Sequence, residues 1–218
     1  MSERVQVPAS GFLLAFLFIA AAHAATLQER VDAAAPNETV HVEAGVHLGA
    51  IVINKPLTLA GEPNAEIRGN GTGKVITIAA DDVTVTGLRI TGSGLDLMQD
   101  DAAIFVTGNR ATIEKNFIVE SLHGVYLKKV SGARIVENRI EGKTTIAAST
   151  EPIEKSLGQS AENCDTTLVS NRRGNGIHQW SCEGNLIRGN DISETRDGIY
   201  FSFTNNSQVE NNFVHHVR

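Results

Sequence analysis

The chain has 218 residues, a formal net charge of −6 and few aromatic residues, but 20 glycines. No basic run exceeds Arg172-Arg173. That balance excludes nucleic acid and anionic lipid as natural partners and suits a fold with many tight turns.

The first predicted element is an address. Gly11 to Ala22 is an uninterrupted apolar run, too short to span a bilayer comfortably, and Ala22-His23-Ala24 fits the small-x-small cleavage rule. Residues 1–24 read as a signal peptide cut after Ala24, which places the mature chain in the periplasm. Residues 25–38 follow as a capping segment. Thr26-Leu27-Gln28-Glu29 is a capping box opening a short helix through Ala35, stopped by Pro36. Leu27, Val31 and Ala34 share one face, suited to covering the open end of a parallel stack.

From Thr39 onward come short apolar pulses with period-2 alternation, such as Val40-Val42, Ile51-Ile53, Val75-Ile78 and Leu88-Ile90, separated by Gly, Asn, Pro or Asp. No stretch is long enough for crossover helices. The pattern then becomes periodic. Ala111-Thr-Ile-Glu-Lys-Asn116-Phe-Ile118 returns around Asn138, Asn190 and Asn212 as x-x-[IV]-x-x-N-x-[IV]. A second phrase, His123-Gly124-Val125-Tyr126, returns as Asn175-Gly176-Ile177-His178 and Asp197-Gly198-Ile199-Tyr200. Both markers step by 22 residues and share one gap of 52, so both require the same 30-residue insertion within 141–175. A fixed period in this range marks a solenoid. The predicted fold is all-β, a right-handed parallel β-helix over residues 39–218, of roughly seven coils and about 33 Å in length.

The repeated side chains divide into two classes. Asn116, Asn138, Asn190 and Asn212 read as a structural amide ladder at a corner that tolerates left-handed backbone. Gly124, Gly176 and Gly198 mark a turn needing positive φ or close backbone approach. Counting by two from Val125, Ile177 and Ile199, the residues Tyr126, His178 and Tyr200 point outward in one column, with Lys128, Trp180 and Ser202 in the next. His123, Asn175 and Asp197 sit in the turn before, beside Arg196. Together they form a candidate polar-aromatic binding groove.

Two cysteines, Cys164 and Cys182, lie 18 residues apart. A disulfide tying the insertion to the next coil and a pair of soft metal ligands are both open. For metal, the candidates are His178 and Cys182, with copper the possible ion. His215 and His216 are adjacent, so on a strand they face opposite ways and do not readily share one ion. Paired carboxylates for sugar chemistry are sought at Asp96, Asp100, Asp101 and Asp197, and no outward Asp recurs in neighbouring coils.

Gly174-Asn175-Gly176-Ile177-His178-Gln179-Trp180 and Arg196-Asp197-Gly198-Ile199-Tyr200-Phe201-Ser202-Phe203 resemble the NosD family of periplasmic β-helix proteins. The resemblance covers nearly all of the mature chain. It implies a non-enzymatic accessory role with an ABC-type ATPase and permease (the NosFY pair) in building the copper–sulfur centre of nitrous oxide reductase. A NosL-type copper chaperone is a further partner, and membrane association runs only through the transporter. Two departures stand out: Gln179 replaces an expected inward aliphatic residue, and Cys182 lies close to it. Family members continue for many more coils, so the chain reads as an N-terminal portion. The alternative reading is a carbohydrate-active solenoid enzyme, such as a lyase, hydrolase or epimerase.

Overall fold

The computed structural model describes residues 25–143 and 173–217. The signal-peptide assignment and Cys164 lie outside the described residues, as does most of the insertion.

Three parallel sheets run the length of the rod, two of seven strands and one of six. Each strand pairs in parallel with its counterpart one coil away, and among the described residues no α-helix lies between the strands. The first sheet aligns Val40, Leu59, Val85, Ile113, Ile135, Ile187 and Val209 in a single inward column. The second aligns Ile67, Ile90, Ile118, Ile140, Ile192 and Val214. The third aligns Ile51, Ile76, Ile104, Val125, Ile177 and Ile199. Apart from Val209 and Val214, which are exposed, these columns make one continuous apolar core, in which β-branched side chains fill the narrow interior layer by layer. Among the described residues two of the sheets have seven strands and the third has six, in keeping with the roughly seven coils expected.

The 22-residue step is a structural unit. Ile113 pairs with Ile135, and Ile187 with Val209. Ile135 pairs directly with Ile187 and Tyr126 with His178. The extra residues therefore leave and return within one coil, between Gly142 at the end of a second-sheet strand and Ile177 at the start of a third-sheet strand. The loop from Gly92 to Asp101 leaves the same corner, two coils earlier.

The asparagines form the ladder that the sequence suggests. Asn138 Oδ1 accepts from the Asn116 backbone N–H and side-chain amide at 3.0 and 3.1 Å, and Asn138 Nδ2 donates to Ile113 O at 2.9 Å. Asn190 does the same for Asn138 across the insertion, and Asn212 for Asn190. The left-handed residue, however, is the one before each Asn. Lys115, Glu137, Gly189 and Asn211 have φ between 53° and 66°. The asparagines bridge coils because that preceding turn aims their amides along the rod.

Gly124, Gly176 and Gly198 are not at positive φ. Close approach explains them: a Cβ on Gly124 would lie 2.5 Å from Gly176 O, and one on Gly176 2.6 Å from Gly198 O. The helix, Leu27–Ala33, carries its capping box and buries Leu27 and Val31 against the first coil. It ends earlier than expected because Ala34 is already extended, two residues before Pro36. Gln28 closes the third sheet's free edge. Its amide accepts from Val52 N–H at 2.8 Å and donates to Val52 O at 3.1 Å, as a neighbouring strand would. Among the described residues, no helix is long and apolar enough to cross a membrane.

Candidate functional site

The third sheet's outer face carries the predicted column in register. Phe105, Tyr126, His178 and Tyr200 occupy successive coils. The parallel strands hold the rings at one coil spacing, so they stack on one another. Tyr126 and His178 lie 4.3 Å apart at 18°, and His178 and Tyr200 4.8 Å apart at 56°. Tyr126 is consequently only 6% exposed, whereas Tyr200 is 39% exposed. The column offers ring edges to solvent, with the faces largely used between coils.

Behind it lies a buried polar hub that the turn assignment misplaces. His123 and Asn175 are not surface turn residues. Both are buried: His123 is already the first residue of the strand His123–Lys128, and Asn175 lies two residues before the inward Ile177. Asn175 connects four groups. Its backbone N–H donates to His123 Nδ1 at 2.9 Å, and its Nδ2 lies 3.0 Å from His178 Nδ1. Its Oδ1 accepts from Arg196 Nη2 at 3.0 Å, and Arg196 Nε reaches Asp197 Oδ2 at 3.0 Å.

This network fixes the proton positions. Arg196 identifies Asn175 Oδ1 as the acceptor, so Asn175 Nδ2 is the donor and His178 Nδ1 must hold a lone pair. The same holds for His123 Nδ1. Both neutral rings therefore carry their hydrogen on Nε2. Burial disfavours the imidazolium and lowers both pKa values to about 4, with Arg196 adding to the effect. Tyr126 is pushed well above the usual phenol range by burial and by the nearby Asp100.

Two consequences follow for chemistry. Neither histidine offers an unprotonated Nε2 to act as a base, and Tyr126 resists ionisation. His178 is also poorly set to bind a metal, since Nδ1 is engaged and Nε2 is protonated. Cys182 faces the opposite way. It belongs to the core, its Sγ lies near Leu127 O and Trp180 O, and burial raises its pKa. The structure does not bring His178 and Cys182 together as a ligand pair, and the residues present do not fit a copper site there. Among the described residues, no group of three or more His, Cys, Asp or Glu is placed to hold a metal ion.

His215 and His216 correct a second expectation. Their Nδ1 atoms lie 2.6 Å apart, with Asp191 Oδ1 3.0 Å from His215 Nε2. His216 has φ 51°, so strand alternation ends at His215 and the rings fold together.

The loop carboxylates are structural. Asp96 Oδ1 accepts from Met98 N–H, and Asp101 Oδ2 from Asp96 N–H. Asp100 pairs with Lys128 Nζ at 2.8 Å. Asp100 and Lys128 thus border the site, which the extra residues between Thr91 and Ala102 could have signalled. Gln179 is indeed inward and buried. Its Oε1 accepts from Asn185 at 2.6 Å, but its Nε2 has no partner.

A model of the right-handed β-helix region matches residues 67–218. The chain belongs to the right-handed β-helix family. Within that family it is 36% identical over 157 residues to the "Probable ABC transporter binding protein NosD" of Pseudomonas aeruginosa, covering 71% of this chain and 32% of the relative. The protein of the same name from Stutzerimonas stutzeri is 29% identical over 157 residues, covering 71% and 31%. The chain thus spans about a third of the length of these relatives, and the match supports its likeness to a NosD N-terminal portion. The crystal structure of an alginate lyase from Paenibacillus sp. str. FPU-7 superposes with a TM-score of 0.58 at 18% identity, covering 86% of this chain and 63% of that one. At that identity the likeness is one of β-helix fold alone.

Proposed function

We propose that this β-helix is a NosD-like, non-enzymatic binding protein that works with an ABC transporter. In this reading it is exported to the periplasm after cleavage behind Ala24. Its partners are a NosFY-like ATPase and permease, a NosL-like copper chaperone and nitrous oxide reductase, whose copper–sulfur centre is assembled with its help. Copper here is cargo of the system, and no step is assigned to it on this chain.

The observation that carries the reading is the 36% identity to a protein named as an ABC transporter binding protein, over 71% of this chain. The site geometry supports binding over catalysis. The histidines are held neutral with Nε2 protonated, and Asp100 and Asp197 are tied to Lys128 and Arg196, so among the described residues these groups are engaged and offer no free base. The docking surface is the outer face of the third sheet around His178, Trp180, Arg196, Asp197 and Tyr200, underpinned by His123, Tyr126 and Asn175.

The test is affinity purification of the tagged chain from detergent-solubilised membranes of a denitrifying host. Co-purification of the transporter's ATPase and permease is expected. Absence of both, or cleavage of oligouronates by the purified chain, would refute the proposal.

A further inference from the structure

Trp180 stands beside the aromatic column but is treated differently by its neighbours. In register below it is Lys128, and above it Ser202. Ser202 is too small to cover an indole, so one ring face has no stacking partner in the next coil. Two ammonium groups approach the ring: Lys128 Nζ and Lys129 Nζ each lie 5.6 Å from its centroid. Lys128 also holds Asp100. Lys129 sits at φ 58°, in the turn that ends its strand, and is exposed. Among the described residues no carboxylate pairs with Lys129. On a chain of net charge −6, this is a cationic rim around an apolar ring.

We propose that Trp180, Lys128 and Lys129 form the anchor for an acidic segment of a protein partner. One apolar side chain packs on the indole, and flanking carboxylates meet the ammonium groups. The inference rests on the outer face of the third sheet being the docking surface. Polypeptide fits better than an acidic glycan because Tyr126 and His178 stack face to face and Tyr126 is almost wholly covered. That pair offers no open ring platform for a run of sugar rings, whereas the indole of Trp180 has lysines rather than rings for neighbours. Tryptophan anchors ringed by charge are also the usual energetic centres of protein interfaces.

Trp180 is the chain's only tryptophan, so its fluorescence reports on this site alone. The probe is a short synthetic peptide alternating Glu and Leu, titrated into the full chain. Controls are the same peptide with Gln for Glu, and oligogalacturonate. A saturable change that weakens with salt is expected for the Glu peptide. Lys129→Gln should weaken binding about two- to fivefold, the range of an exposed ion pair, and Lys129→Arg should restore it. Circular dichroism checks that each variant folds. Equal binding of the Gln peptide, no effect of Lys129→Gln, no fluorescence change, or tighter binding of oligogalacturonate would each overturn the proposal. A Lys129→Gln chain that still retains the transporter but has lost the peptide sinks only this anchor's role in that contact. A chain that binds the peptide but never retains the transporter sinks the proposed function instead.

Discussion

Removing the middle rung of the asparagine ladder is the most direct probe of what holds successive coils together. Asn138 is 1% exposed and serves the coils on both sides. In Asn138→Ala, the Asn116 backbone N–H loses its partner at 3.0 Å, and the Asn116 amide loses one of its two acceptors. Ile113 O also loses a donor. A buried donor left unpaired costs roughly 1–3 kcal/mol. With one donor fully orphaned and two groups partly so, the expected loss is about 2–4 kcal/mol. At a urea slope of about 2 kcal/mol/M, this moves the denaturation midpoint down by ~1–2 M, read by far-ultraviolet circular dichroism. Asn212→Ala provides the contrast. Asn212 makes equivalent bonds to Asn190 and Ile187 but is only half-buried on the last coil, where water can replace it. Its expected loss is under about 1 kcal/mol. Equal effects from the two substitutions, or an Asn138→Ala loss below about 0.5 kcal/mol, would refute the view that burial makes the ladder stabilising.

Three further outcomes are expected. Gly176→Ala should destabilise by about 2–4 kcal/mol, because the new methyl meets both Ile192 and Gly198 O, whereas Gly184→Ala, at φ 62° in open space, should lose only about 1 kcal/mol in the same assay. Gln179→Leu should be neutral or stabilising by about 1 kcal/mol, since it removes an unpartnered buried N–H at a core position flanked in register by Leu127 and Phe201. A clear loss would show that the Asn185 bond dominates. For pH, the folded-state values of His123 and His178 lie near 4, below the ordinary 6.5, so the unfolded chain takes up protons first as pH falls. Stability should be unaffected by these groups above about pH 6.5 and should decline between about 6.5 and 4. The decline is at most ~1.4 kcal/mol per pH unit for His123 and smaller for the more exposed His178. Nitrogen chemical shifts at neutral pH should show both rings as Nε2–H, and a His123→Asn chain should have a shallower pH slope.

Much of this architecture was legible because a solenoid writes its geometry as a period. The spacing of Asn116, Asn138, Asn190 and Asn212 predicts the register, the position of the insertion and the alignment of Tyr126, His178 and Tyr200. The left-handed positions were not legible. They hold Lys115, Glu137, Gly189 and Asn211, four unlike residues that share no side-chain signature for that conformation. His123 and Asn175 were misplaced for a different reason. Both lie two residues before an inward side chain, Val125 and Ile177, so the inward phase already reaches them although the glycines between suggest a turn. The closeness of His215 and His216 escaped strand alternation, because His216 lies where the strand has already turned.

Gln28 has a bearing on how such a rod comes into being. Its amide supplies both backbone partners that Val52 would otherwise take from a preceding coil. Every later strand of the third sheet finds its template on the coil before it. A chain emerging amino end first, from a ribosome or a translocation channel, can therefore zip one turn at a time onto surfaces already in place. Each added turn waits only for some 19 to 28 residues to clear the exit, except at the insertion, where the zipper must pause for a 52-residue reach between Asn138 and Asn190. Folding intermediates of the nascent chain should accumulate at that pause, ending on the coil that carries Asn138.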